Sequence, residues 1–177
     1  MADPAVSQFA LWLTPIPSDR RWLSKIIQDY AAAYDAPMFE PHVTVYSGIY
    51  SAQDDLPKIL SQRVVPQLPI ALEVTGLGYT ENFFRTGFIT FAPNEALTAL
   101  SHGIRDRLQS PTDYRLEPHL SLVYKDLSLD QKRLAMLRII LSVEFITFDT
   151  LKVVTPSAQD WFDISGWREA FRLCAVS

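Results

Sequence analysis

The chain of 177 residues has one cysteine, Cys174. That excludes an internal disulfide framework and any zinc or iron–sulfur site built on cysteines. Its six glycines form no Gly-rich phosphate loop. No apolar run approaches the roughly 18 residues that span a bilayer. The opening Met1-Ala2-Asp3-Pro4 puts no basic segment ahead of an apolar one, so no secretory signal is expected. Positive charge is also scarce: 16 Lys+Arg stand against 20 Asp+Glu, a net of −4, and the basic residues are scattered apart from doublets such as Arg20-Arg21 and Lys132-Arg133. A protein that grips long nucleic acids carries a basic stripe to neutralise phosphates. A long polymer is therefore disfavoured as a partner, while a small phosphorylated molecule or a strand end stays compatible. With 48% apolar and 20% charged residues, the composition is that of a globular protein whose length suits one core or two small lobes sharing one. The expectation is a cytoplasmic monomer with no membrane segment, a single bilobal unit over residues 1–177.

An internal repeat is the strongest pattern present. Residues 39–46 read Phe-Glu-Pro-His-Val-Thr-Val-Tyr, and residues 116–122 read Leu-Glu-Pro-His-Leu-Ser-Leu, followed by Val123 and Tyr124. The two histidines are 77 residues apart, and the same offset maps Leu11 onto Phe88, Leu23 onto Leu100, Ile27 onto Ile104 and Val74 onto Leu151. Two copies of one unit, approximately residues 9–80 and 86–157, are expected.

Each copy reads strand, helix, His-bearing strand, helix, strand. Phe9–Thr14 is short, apolar and bounded by prolines, as a buried strand is. Ser18 is placed to cap a helix over roughly 19–34, with Trp22, Ile26 and Tyr30 on one stripe. Pro37 and Pro41 force an extended approach to His42. Ser51 opens a second helix toward about Val65, with Pro57 moving its start nearer Asp54. Ile70, Leu72 and Val74 alternate with polar or small residues. In the second copy, Thr86–Phe91 is a strand, Asn94 caps a helix carrying Leu97, Leu100, Ile104 and Leu108, and Leu120–Tyr124 follows His119 as a strand. Ser128-Leu129-Asp130-Gln131 has the form of a capping box, and Phe145–Thr155 is a long strand. The segment after Trp167 fits a helix or a strand by periodicity alone. The fold class expected is α+β: two pseudo-symmetric lobes with largely antiparallel sheets around a cleft, helices outside, and loops 78–85 and 155–166 over the opening.

A strand projects residues i and i+2 to one face. His42 therefore points with Thr44 and His119 with Ser121, while Val43, Val45, Leu120 and Leu122 point into the core. If a pseudo-two-fold axis relates the lobes, both imidazoles and both hydroxyls face one pocket. That set suits in-line displacement at a phosphate ester: one imidazole takes a proton from water and the other gives one to the departing oxygen. An unperturbed pKa of about 6.5 fits histidine for both roles. The hydroxyls can hold the non-bridging oxygens, so the chemistry requires no metal or other cofactor.

His42-Val43-Thr44-Val45 and His119-Leu120-Ser121-Leu122 resemble the paired His-x-Thr/Ser-x motifs of the two-histidine (2H) phosphoesterases. More narrowly, Pro-His-Val-Thr-Val at 41–45, Phe83-Phe84, Pro-His-Leu-Ser-Leu-Val-Tyr at 118–124 and the Trp167 segment are similar to plant-type cyclic phosphodiesterases. The resemblance implies a bilobal fold and metal-independent opening of small cyclic phosphates, with ADP-ribose 1″,2″-cyclic phosphate and nucleoside 2′,3′-cyclic phosphates as substrates and, from nucleotides, a 2′-phosphate product. It implies that His42 protonates the leaving oxygen and His119 activates water, that Thr44 and Ser121 bind phosphate, and that Tyr124 touches substrate. The plant enzymes carry several cysteines, so redox control of their active-site loop does not transfer to a chain with Cys174 alone.

Other readings attach to the same residues. A metal site would join the histidines to Glu40 or Glu117, but neither motif has a second histidine at i+2 or i+4. The glutamates are otherwise read as marks of ancestry, because a carboxylate repels a phosphate. Phe84, between two strands, is a candidate for stacking on a base; Tyr46 and Tyr50 are weaker candidates. Arg85 could reach the phosphate but reads first as a surface residue. Trp12, Trp22, Trp161 and Trp167 read as packing, and His102 as a solvent-facing residue of the helix over 94–109.

Overall fold

The structure is a computed structural model that describes residues 7–63 and 67–175. Its elements run β1 (Ser7–Pro15), α1 (Pro17–Tyr34), β2 (Val43–Tyr50), α2 (Leu56–Arg63), β3 (Ile70–Gly78), β4 (Gly87–Phe91), α3 (Glu95–Arg105), β5 (His119–Val123), α4 (Leu129–Leu137), β6 (Phe145–Thr155) and β7 (Arg168–Cys174). The order strand–helix–strand–helix–strand thus occurs twice, and β7 follows. All pairings are antiparallel, in the order β1-β2-β5-β4-β3-β6-β7, and β1 also pairs with β6. The third strand of each copy is therefore bonded to the first strand of the other. One wing is β2-β1-β6-β7 and the other is β5-β4-β3. Two links join them. The long β6 pairs with β3 through Phe145–Phe148 and with β7 through Thr150–Thr155, while β2 and β5 meet at a single pair, Val43 with Leu120.

Alternation along the strands separates two faces. Phe9, Leu11 and Leu13 of β1, Val43 and Val45 of β2, Leu120 and Leu122 of β5, and Leu151 and Val153 of β6 join one core with Leu23 and Ile27 of α1 and Leu97, Leu100 and Ile104 of α3. Each such side chain removed from water contributes roughly 1.5–3 kcal/mol. The helices cover this outer face: α1 lies on β1 and β5, α3 on β2, and α4 on β4. The opposite face, with Ala10, Trp12 and Val154, lines the space between the wings.

Several local expectations are corrected. Ser18 does not cap α1: the N-cap is Ile16 and Pro17 is the first helical residue, because a fixed φ and a missing N–H suit that place. Ser51 does not open α2. Asp54 instead accepts hydrogen bonds from the Ser51 amide (2.8 Å) and hydroxyl (3.1 Å), tying off a turn before Leu56; Val65 lies outside the described residues. Asn94 caps α3 by accepting from Leu97 N, and Ser128 with Gln131 forms a capping box on α4. The tail is a strand, because β6 offers it a free edge from Thr150 to Thr155.

Candidate active site

The bridge from Val43 to Leu120 organises the site. Antiparallel pairing sets the next positions across from one another, so His42 comes beside Ser121 and Thr44 beside His119. Both core valine and leucine point outward to the helices, and all four motif side chains line one cavity of about 270 Å³ between the wings. That is slightly under the usual size of a small-molecule cleft. Phe84 and Tyr124 line it as well. The six residues singled out from the sequence are thus brought together. Tyr46 and Tyr50 are not among its walls: Tyr46 is buried and its hydroxyl accepts from Thr112 N at 2.9 Å, and Tyr50 lies edge-on to Phe9. His102 is exposed on α3.

Both histidines are held the same way. His42 Nδ1–H donates to the Glu40 carbonyl and His119 Nδ1–H to the Glu117 carbonyl, each at 2.7 Å. That fixes one tautomer and leaves each Nε2 lone pair unused by the bond. The glutamates are therefore more than marks of ancestry. The Glu-Pro-His spelling puts a carbonyl two residues ahead of each ring, and the proline keeps the approach extended. Their carboxylates are taken by cations, Glu40 by Lys152 (2.6 Å) and Glu117 by Arg85, which leaves neither free to join the histidines on a metal.

The two rings sit in different surroundings. His42 is buried, and Trp12 of β1 stacks on it at 3.7 Å between centroids and 12° between planes. Burial drives its pKa down to about 3; the Glu40 carbonyl opposes this, and the charges of His119 and Lys152 add to it. His119 is half-buried, and Phe88 of β4 meets it edge-on at 5.4 Å. Burial lowers its pKa too, with the Glu117 carbonyl working against the shift and Arg85 with it. Burial thus favours the neutral form of both imidazoles. An anion between them would favour the protonated form of either.

The hydroxyls also differ. Ser121 Oγ donates to the Phe84 carbonyl at 2.8 Å, and burial raises the pKa of the Tyr124 hydroxyl. Thr44 Oγ1 has no partner among the described residues, while its backbone carbonyl accepts from Tyr114 Oη at 3.1 Å.

Three residues read as packing line the cavity instead: Trp12, Trp161 and Trp167. Trp22 does pack against the core. The late loop explains the tryptophans. Asp163 accepts from Gly166 N (3.1 Å) and Ser157 Oγ (2.7 Å), and Trp167 Nε1 donates to the Trp161 carbonyl at 3.0 Å. A Cβ at Gly166 would lie 2.1 Å from Ser157 Oγ, so the tight turn admits only glycine. Phe162 of this loop, exposed, touches Phe83 and Phe84 of the other loop at 5.4 and 5.0 Å between centroids. Arg85 lines the cavity rather than facing solvent; its guanidinium sits 4.9 Å from the Phe88 ring centroid, and it is the one Lys, Arg, Asp or Glu on the wall among the described residues. Composition could not separate these aromatics from core, because wall and core are equally apolar.

The model of the family described as cyclic phosphodiesterase-like protein matches residues 7–164. The chain belongs to that family. It is an enzyme of the cyclic phosphodiesterase class within the two-histidine phosphoesterases. Cyclic phosphodiesterase of Arabidopsis thaliana is 21% identical over 125 residues, spanning 71% of this chain and 69% of that protein. Among solved structures, Escherichia coli LigT in apo form superposes with a TM-score of 0.57 at 13% identity, covering 98% of this chain and 99% of LigT. LigT complexed with 3′-AMP gives the same score and identity. At such identity the structural likeness shows the fold. Among the described residues, no helix is long and apolar enough to cross a membrane.

Proposed function

We propose that this cyclic phosphodiesterase-like enzyme hydrolyses a small nucleotide-derived cyclic phosphate, a 2′,3′-cyclic nucleotide or ADP-ribose 1″,2″-cyclic phosphate, to a monophosphate ester without a metal. One observation carries the reading: two imidazoles, each with Nδ1–H tied to a carbonyl, share a cavity with two hydroxyls. Water adds to phosphorus as one Nε2 accepts its proton. The ring P–O bond breaks on the opposite side, and the other imidazolium gives its proton to the departing sugar oxygen. In the order that the motifs imply, His119 activates the water and His42 serves the leaving oxygen. Thr44 and Ser121 donate to the non-bridging oxygens, where charge builds up. Tyr124 presents a neutral phenol to the cavity, within reach of a bound substrate. Phe84 offers an aromatic face to a base. The phosphate anion itself supplies the field that lets one buried imidazole hold its proton. The small cavity with a single cation on its wall favours a mononucleotide or ADP-ribose derivative over a long strand.

The test is incubation with 2′,3′-cyclic nucleotides and ADP-ribose 1″,2″-cyclic phosphate in EDTA, with the products resolved by chromatography or phosphorus NMR. Monophosphate is expected, and His42→Ala or His119→Ala should lower turnover by about 10² or more. Activity that vanishes in chelator and returns with one divalent ion, or full activity in either variant, overturns the proposal.

A further inference from the structure

Next to Trp12, the indole stacked on His42, lies a group of charges that the proposed chemistry does not use. Lys152 of β6 is the cross-strand partner of Trp12, so it shares the inner face with the indole that stacks on His42. Its side chain is 8% exposed. Burial of an ammonium is costly without close counter-charges, and Lys152 has two. Its Nζ lies 2.8 and 2.6 Å from the carboxylate oxygens of Glu40 and 3.2 Å from Glu169 of β7. Arg20 of α1 reaches Glu40 at 3.6 Å, and Arg172 of β7 reaches Glu169 at 2.5 Å. The main-chain carbonyl of the same Glu40 accepts the Nδ1–H of His42.

We propose that Lys152 is a positioning residue for His42: by gripping the Glu40 carboxylate it fixes the carbonyl that orients the imidazole, and it brings a buried cation across from the indole stacked on that ring. The inference rests on the proposed two-histidine chemistry for its purpose, though not for its test. In the second motif the matching cation is not buried. Glu117 is held by Arg85, which stands on the cavity wall and is about a third exposed. The two halves therefore share sequence and carbonyl geometry and differ in where the cation sits. Charges facing His42 come from His119 of β5, from Lys152 of β6 with Glu169 of β7, and from Glu40 with Arg20 of α1. Lys152 and His119 both oppose a proton on His42. A fixed cation at this place adds to the burial that disfavours a proton on His42, and an anion in the cavity would favour one. That couples the protonation of this ring to substrate binding.

The experiment is a proton NMR titration of the three histidine rings in wild type, in Lys152→Met, and in Lys152→Met/Glu40→Gln/Glu169→Gln. The triple variant leaves no unpaired charge buried and keeps the test open if the single variant fails to fold. His102 on α3 is the internal control. In either folded variant the proton-binding constant of His42 should rise by more than about twofold, while those of His119 and His102 hold within about twofold. An unchanged His42 titration, or His119 moving as far as His42, overturns the proposal. No substrate is present, so a failure of cyclic phosphate hydrolysis counts against the proposed function and leaves this result to be read on its own.

Discussion

Replacing His42 with asparagine should flatten the pH dependence of stability, and its size follows from the burial of the ring. In the unfolded chain a histidine titrates near 6.5; in the folded protein His42 titrates near 3. The folded state thus declines a proton that the unfolded state takes. Above about pH 6.5 the ring is neutral in both states, and its stabilising contribution is whole. As pH falls through the window from 6.5 toward 3, the unfolded state gains protons and the contribution is lost. Between pH 7.5 and 5.0 the linkage amounts to roughly 2 kcal/mol. The stacked indole of Trp12 favours the imidazolium by about 1 kcal/mol through its π face, which moves the folded titration by less than one pH unit and leaves the roughly 2 kcal/mol almost whole, because the folded ring still holds no proton at pH 5.0. Urea unfolding at the two pH values, wild type against His42→Asn, isolates this ring, because every other group cancels in the double difference. With an m-value of about 2 kcal/mol/M, wild type should lose about 1 M more in midpoint than the variant. Equal losses in the two proteins, or a larger loss in the variant, would refute the claim that His42 is held neutral by burial.

Three further outcomes follow from other parts of the structure. Ser121→Ala removes the hydroxyl that bonds the Phe84 carbonyl; kcat on a cyclic nucleotide should fall by about 10²-fold, with stability reduced by about 1 kcal/mol in urea. Phe84→Leu should raise KM for a cyclic nucleotide by about tenfold through lost stacking, while a ribose cyclic phosphate lacking a base shows no change. Asn94→Ala deletes the cap on Leu97 N and should cost about 1 kcal/mol of stability with turnover intact, since α3 lies on the outer face.

Much of the fold could be read along the chain because its causes are local. The alternation of Ile70, Leu72 and Val74 with exposed neighbours, the Asn94 cap and the Ser128–Gln131 box each depend on a few adjacent residues. The errors were also local. Ser18 yielded to Pro17 at the start of α1, and Ser51 served a turn rather than a helix cap. Where two periods fitted, as after Trp167, the free edge of β6 decided for a strand. The aromatic walls were missed for a different reason. Trp12 alternates with Leu11 and Leu13 as any buried strand residue does, and only its place over His42 separates wall from core.

The sequence by itself determined that His42 shares a strand face with Thr44 and His119 with Ser121, because i and i+2 on a strand point the same way and the Glu-Pro-His-x-Thr/Ser spelling occurs twice. Tertiary structure decided how they meet and how they differ. A single backbone pair, Val43 with Leu120, brings segments 77 residues apart to one cavity. The unlike surroundings of the two rings, a stacked indole and a buried lysine against a phenylalanine edge and a rim arginine, come from β1, β4, β6 and the loop before β4. Proton affinity depends on solvent exclusion and on charges distant in the chain, and no local pattern of residues encodes either.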